Sequence, residues 1–525
     1  MSSHPTKKQF KEVILMKTKE IDFVSIGMLI LVMMLVSSFG LTSVSVQAQE
    51  PQRGGTLRIA QSVEPQGLDP TTNTAAAVDR VLYNNVYEGL VKLNRDGGIV
   101  PGLAERWEFS PDGLVWTFHL RRGVKFHDGS DFTAEDVIFT IQRNQNPDVP
   151  NIHPEYYNTI ARMEALDDHT VRFTLSQFDS LFLFNLARGD SAILASDYTG
   201  DLNVQPNGTG PFKFEERVPG DRIVLEKFDA YYIEELPYLD GVVFTFIPDP
   251  SAAFAALQAG DIDVLERSNV ENAPVAQGDS RFTVFNGAST GEVILSMNNA
   301  RAPFNDKRVR QAVAYALDRQ EIIDIAQFGF GIPVGSHMSP LNENYVDTTW
   351  RYTRDVEKAK ALLAEAGFSN GFDVVMSIPS NLQYAVNSAQ VIQQQLAEVG
   401  IRAEIELVEF PGQWLEKVFF APNDYQMSII AHVEEFDIDI YARTTYYFRY
   451  DSEAFREALS RARAEPDPTT REQLYAIAQY LIAEDVATFP LYELSNALIL
   501  SSKVQGWWEN EPLPNADATE AWIAR

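Results

Sequence analysis

Apolar and polar residues alternate over 56–62, 115–120 and 171–175, the two-residue period of half-buried strands. Further strand patterns cover 222–228, 242–247, 263–265, 372–378 and 402–410. Between them the period changes to that of a helix. Thr133-Ala-Glu-Asp136 resembles a capping box opening a helix with Val137, Ile138 and Ile141 inward. Ser251 is expected to cap a helix that Gly260 ends, and Asp355 one that Gly367 ends. A helix over 385–399 is closed by Gly400, and Thr470-Arg-Glu-Gln473 is expected to cap the last long helix. Val309, Ala312, Val313, Ala316 and Leu317 form one apolar stripe, leaving Arg308, Arg310 and Arg319 for solvent. The αβαβ alternation over 355–410 predicts a sheet covered by helices, and the class is α/β.

Length adds domain number. A chain of 525 residues exceeds what one core serves, so two or three domains are expected. Hydrophobic residues at 45% and charged residues at 22% describe an ordinary globular composition. A net charge of -30 repels phosphate backbones, which argues against a nucleic-acid partner and suits a monomer. With no cysteine, thiolate metal sites, iron–sulfur clusters, cysteine nucleophiles and disulfides are excluded, as is a lipid-modified cysteine anchor. No cofactor is expected.

The N-terminal pattern points out of the cytoplasm. Lys17 and Lys19 precede an uncharged apolar run over 23–39, and Val46-Gln47-Ala48 follows as an A-x-A-like cleavage motif. Residues 1–48 are thus expected to be a signal peptide, with Met16 an alternative start. A retained membrane anchor is the competing reading, because the run approaches spanning length.

The segments Gly54-Gly-Thr-Leu-Arg58, Gly67-Leu-Asp-Pro70 and Tyr87-Glu-Gly-Leu-Val91 begin an ordered series of motifs. Leu103-Ala-Glu-Arg-Trp107, Thr117-Phe-His-Leu-Arg121, Gly123-Val-Lys-Phe-His-Asp-Gly129 and Phe132-Thr-Ala-Glu-Asp-Val137 continue it. Gly208-Thr-Gly-Pro-Phe212, Leu257-Gln-Ala-Gly-Asp-Ile-Asp263 and Pro303-Phe-Asn-Asp-Lys-Arg308 complete it. Together these resemble the family 5 extracellular solute-binding proteins, the dipeptide, oligopeptide and nickel receptors of ABC importers. The resemblance implies a bilobal, periplasmic-binding-protein-like fold (type II, three-domain) with an interdomain ligand cleft. It implies domain I over 54–92, 209–288 and 488–525, domain II over 93–208, and a second lobe (domain III) over 292–487. It also implies a small-molecule or peptide ligand, a membrane permease as partner, and a periplasmic or other extracytoplasmic location.

Gly287-Ala-Ser-Thr-Gly291 matches G-x-S-x-G, but strand patterns flank it on both sides, where a nucleophile elbow needs a strand and then a helix. A small-residue hinge is the better reading of Ser289, and no enzymatic activity is expected. His337 and His432 both fall in the second lobe, yet no histidine has a second at metal-ligand spacing, so no metal site is expected. In peptide-binding relatives a tryptophan stands about twenty residues before a Trp-x-Ala-Asp segment whose aspartate pairs with the peptide ammonium. Trp414 matches the first. Glu435 takes the aspartate position by spacing, with Glu434 and Asp437 as alternatives. Arginines of the oligopeptide receptors correspond to Ala421 and Ile429, and a glutamate to Thr74. Tyr441, among several aromatics, His432, Tyr492 near the second crossing and Asn298 after the hinge strand complete the candidate ligand-binding set. The expectation is a receptor for a small peptide or amine-bearing solute, with an oligosaccharide as the alternative. A secreted hydrolase and a ligand-free envelope protein are the rivals from other classes.

Overall fold

A computed structural model of the chain describes residues 50–525 except 73–75, 150, 152, 267–269, 434–435 and 496. The apolar run over 23–39, the motif ending at Ala48, and Thr74, Glu434 and Glu435 lie outside the described residues. Among the described residues no helix is long and apolar enough to cross a membrane.

Three sheets carry the architecture. The first-lobe sheet has seven strands in the order Phe282–Val284, Ile499–Ser501, Val264–Leu265, Thr56–Gln61, Gly241–Phe246, Arg222–Lys227, Phe212–Val218. A four-stranded antiparallel sheet orders Ala104–Phe109, Val115–Leu120, Thr170–Leu175 and Ile160–Asp167. In Val115–Leu120 and Thr170–Leu175 every second residue is buried, as their alternation predicts.

The second-lobe sheet has six strands, ordered Ile332–Pro333, Thr488–Glu493, Glu292–Met297, Met427–His432, Phe372–Pro379, Ile401–Val408. Every residue of Glu292–Met297 is buried, because both sheet faces are covered. Val293, Leu295 and Met297 pack with Val309, Ile322 and Ile392 of the helices Lys307–Ala316, Arg319–Ala326 and Gln383–Glu398. On the other face Ile294 joins Trp414, Tyr441, Phe455 and Ile482, the last two from the helices Glu453–Ala464 and Pro468–Asp485.

Thr133 forms its capping box on Ala134–Gln145, and Asp355 caps Val356–Glu365 through the Lys358 amide. Two caps differ from expectation. Asp249, not Ser251, caps Pro250–Ala259, and Asp467, not Thr470, caps Pro468–Asp485. In each a proline fills the first helical position, where its fixed φ is already helical and its missing N–H costs nothing. Arg310 and Arg319 are also corrected, since both are buried. Arg310 donates to the carbonyls of Phe304, Asp485 and Val486, satisfying the C-terminal end of Pro468–Asp485.

Candidate functional site

The chain passes from Phe282–Val284 of one lobe into Glu292–Met297 of the other, and returns from Thr488–Glu493 to Ile499–Ser501. The two crossings, 285–291 and 494–498, run side by side. The Phe285 amide donates to the Leu498 carbonyl at 2.9 Å, and the Leu494 amide to the Gly291 carbonyl at 2.7 Å. A Cβ on Gly287 would lie 1.8 Å from the Glu509 carbonyl oxygen, so only glycine lets the first crossing lie against the C-terminal segment. Ser289 Oγ donates to the Leu494 carbonyl and accepts from the Gly291 amide. Its hydroxyl proton goes to a backbone carbonyl and it sits between strands, not at a strand-to-helix turn, so it reads as part of the crossing and not as a nucleophile.

Two cavities open beside the crossings. One, of about 290 Å³, is lined by Val270, Glu271 and Glu511 from the first lobe and by Ser289, Gly291 and Leu494 from the crossings. Gln383, Tyr384, Asn387 and Val433 close it from the second lobe. Its wall holds two carboxylates and several amides but no lysine, arginine or histidine among the described residues. Glu511 also accepts from Arg80 Nε at 3.0 Å, in a pair buried on both sides. The second cavity, of about 390 Å³, lies between the four-stranded sheet and the second lobe. Trp107, Trp116, Phe178, Phe184, Phe436 and Tyr475 give it aromatic walls.

A buried polar cluster sits where the crossings enter the second-lobe sheet. His432 and Glu493 are the register partners of Glu292 on either side. Burial pushes the Glu493 carboxyl up to about 8, against the lowering influence of the Ser339 hydroxyl and the Ser289 backbone. Glu292 is pushed well above the usual range, first by burial and then by the neighbouring Asp437 and Glu493. For Asp437 burial acts upward, but the charge and hydrogen bonds of His337 and His432 together outweigh it and hold the carboxyl well below its usual range. His337 Nε2 is 2.7 Å from Asp437 Oδ1, and His432 Nδ1 is 2.9 Å from Asp437 Oδ2. The fold thus gathers two histidines that their sequence separation kept apart.

The remaining candidates sit inside the second lobe and line neither cavity. Trp414 is buried, its indole N–H donating to Ser428 Oγ at 3.0 Å. Tyr441 is buried with its hydroxyl 2.6 Å from Thr488 Oγ1. Tyr492 is buried with its hydroxyl 2.8 Å from Ser388 Oγ. Asn298 Nδ2 donates to the Asn423 carbonyl at 3.1 Å and Oδ1 accepts from the Ala300 amide, fixing a turn. Each has found its polar partner within the lobe, as a buried group must. His432 and Asp437 do not line the walls either, but their neighbours Val433 and Phe436 line one cavity each. Glu271, Gln383 and Asn387 were not singled out from sequence, because polar side chains on a helix or loop carry no periodic signal.

A two-lobed α/β fold, crossed twice and with cavities at the crossings, defines a bilobal solute-binding protein. Residues 98–454 match the bacterial extracellular solute-binding proteins, family 5, and the chain belongs to that family. It is a binding protein rather than an enzyme. It is 31% identical to the dipeptide-binding protein of Escherichia coli (strain K12) over 491 residues, covering 84% of this chain and 90% of the relative. It superposes on HbpA2 from Haemophilus parasuis with a TM-score of 0.80 at 25% identity, over 90% of this chain and 100% of that one. With the periplasmic binding protein DppA from Helicobacter pylori in complex with peptide STSA, the TM-score is 0.68 at 28% identity, over 90% and 99% of the two chains.

Proposed function

We propose that the chain is the extracytoplasmic receptor of an ABC importer and captures a small peptide or amine-bearing solute in the 290 Å³ cavity beside the crossings. The observation that carries this reading is the chemistry of the wall: Glu271 and Glu511, the latter already paired with Arg80 behind it, line it with several amides, and no basic side chain does among the described residues. A carboxylate in a partly desolvated wall favours an ammonium group through charge-assisted hydrogen bonds. The wall draws on the first lobe, both crossings and the second lobe, so a solute held there gains contacts when the lobes close. Closure then presents one shape to a membrane permease. The E. coli relative is a dipeptide-binding protein, which supports the peptide version. The superposition is poorer on the peptide complex than on HbpA2 although sequence identity runs the other way, which supports a difference in lobe angle. Domain I over 54–92, 209–288 and 488–525, domain II over 93–208 and the second lobe over 292–487 are the bodies we assign to that motion.

A second reading rests on the aromatic cavity. Trp107 and Trp116 beside Phe178 offer flat apolar faces of the kind that sugar rings stack on, so an oligosaccharide is the alternative ligand. One experiment separates the two. Thermal stability is followed against a panel of di- and tripeptides, amines and neutral oligosaccharides, since a ligand of the native state raises it. Stabilisation by amine-bearing compounds, reduced about tenfold in affinity by Glu271→Gln, supports the first reading. Stabilisation by sugars alone, insensitive to that substitution, replaces it with the second.

A further inference from the structure

The geometry points to a metal site inside the second lobe: His337, His432 and Asp437 form a His2Asp set for one divalent transition-metal ion, zinc(II) by donor type. Each residue offers one donor atom, and all three donors lie within 4.8 Å of one another. They come from three separate elements: the loop after Ile332–Pro333, the end of Met427–His432, and the short helix Asp437–Ala442. Tetrahedral zinc with bonds of 2.0–2.1 Å needs donors about 3.3 Å apart, so shifts of about an ångström close the set.

What lifts this above a chance cluster is the far side of each imidazole. His337 turns Nε2 to Asp437 and Nδ1 to Glu292 Oε2, at 3.4 Å. His432 turns Nδ1 to Asp437 and Nε2 to the Tyr447 hydroxyl, at 3.1 Å. A metal-binding imidazole characteristically hands its other ring nitrogen to a carboxylate or similar acceptor, which fixes tautomer and orientation. Both histidines have such a partner in place. Nδ1 of His337 and Oε2 of Glu292 make no regular hydrogen bond, although both are buried. With a cation on Nε2, the ring proton resides on Nδ1 and has Glu292 to donate to. Nitrogen donors beside a single carboxylate select zinc or its transition-metal neighbours over calcium or magnesium. The ion would staple 432 to 437, the stretch whose inner neighbours Val433 and Phe436 line the two cavities.

The test uses the full chain, purified without a histidine tag and stripped with a chelator. Added zinc should bind at one equivalent per chain by elemental analysis and raise the melting temperature by several degrees. Cobalt(II) in its place should give the intense visible absorption of a tetrahedral site. His337→Ala and His432→Ala should each abolish both effects while keeping a cooperative melt in chelator. Glu292→Gln should weaken binding 10–100-fold without abolishing it. Absence of zinc uptake by the stripped chain, or uptake unchanged in His337→Ala, would overturn the site. Should either alanine variant fail to fold, Asp437→Asn read by the cobalt spectrum decides: an unchanged spectrum rejects the assignment and a lost one supports it.

Discussion

Ser289 Oγ donates to the carbonyl of Leu494 at 2.7 Å, so a side chain of the outgoing crossing fastens the returning one. Ser339 Oγ donates in turn to the Ser289 carbonyl, tying the second lobe to the same point.

Ser289→Ala is expected to cost about 1 kcal/mol in denaturant unfolding, the net worth of one such bond. It should also broaden the distribution of lobe angles seen by solution scattering. Neither the parent nor the variant should hydrolyse model esters. An esterase activity that the substitution removes would return Ser289 to the role of nucleophile.

Arg319 gives a larger effect. Its guanidinium lies 3.9 Å over the Phe489 ring and donates to the Pro490 carbonyl at 2.8 Å. Burial lowers its pKa to about 10, against the raising influence of Tyr345 and nearby aspartates, so it stays charged at neutral pH. Arg319→Met should destabilise by about 3 kcal/mol, because a buried carbonyl loses its donor and the ring its cation. Arg319→Lys should fall between, since an ammonium lacks the planar fork that stacks and donates together. Chemical denaturation of the three proteins checks the order.

Arg319 also marks where sequence reasoning stops. Alternation located Val115–Leu120 and Thr170–Leu175, and cap chemistry located Thr133 and Asp355, because each signal is local. The motif Tyr87-Glu-Gly has a packing reason that no local pattern displays. Buried Glu88 accepts from Thr209 Oγ1, Tyr231 and Tyr232, joining segments far apart in the chain. An arginine opposite an apolar stripe reads as solvent-facing unless one knows that helix ends and strand carbonyls lie within its reach. The same limit governed the site. Trp414 is a candidate through the resemblance to peptide receptors and Tyr441 as one of several aromatics, but both pack in the core of the second lobe, where Ser428 and Thr488 partner their polar ends. The polar residues that line the cavity are two glutamates and several amides whose sequence context is unremarked.

Glu493 predicts an alkaline weakness. Its carboxyl titrates at about 8 in the folded chain, against 4.5 for a solvent-exposed glutamate. The folded state therefore binds the proton more tightly than the unfolded one between those values. Stability from this group is full below about pH 4.5 and is lost as pH rises through 8. The span of the shift corresponds to at most about 5 kcal/mol. Glu493→Gln cannot ionise, so its melting temperature should change less than the parent's from pH 5 to about pH 9 and exceed it at the upper end. Parallel curves for the two proteins would remove Glu493 as the cause.

His127 predicts the opposite slope on the acid side, and its hydrogen bonds say why. Nε2 is 3.0 Å from the Gly210 carbonyl, which can only accept, so the proton sits on Nε2. Nδ1 lies 3.4 Å from the Gly208 amide, which can only donate, so Nδ1 must offer its lone pair. The ring is held as one neutral tautomer, with Phe228 edge-on at 4.8 Å. Protonating Nδ1 would turn an acceptor against a donor. Burial, opposed by the Gly210 bond, lowers the folded pKa to about 4 from 6.5. Between those values the unfolded chain binds the proton and the folded chain does not. The stability this group confers is fully present above about pH 6.5 and is lost as pH falls through 4, up to about 3 kcal/mol in all. His127→Gln presents an amide that can both donate and accept but does not titrate. Its unfolding free energy should therefore fall less steeply than the parent's between pH 6.5 and pH 4, and a slope equal to the parent's would show that other groups set the acid limit.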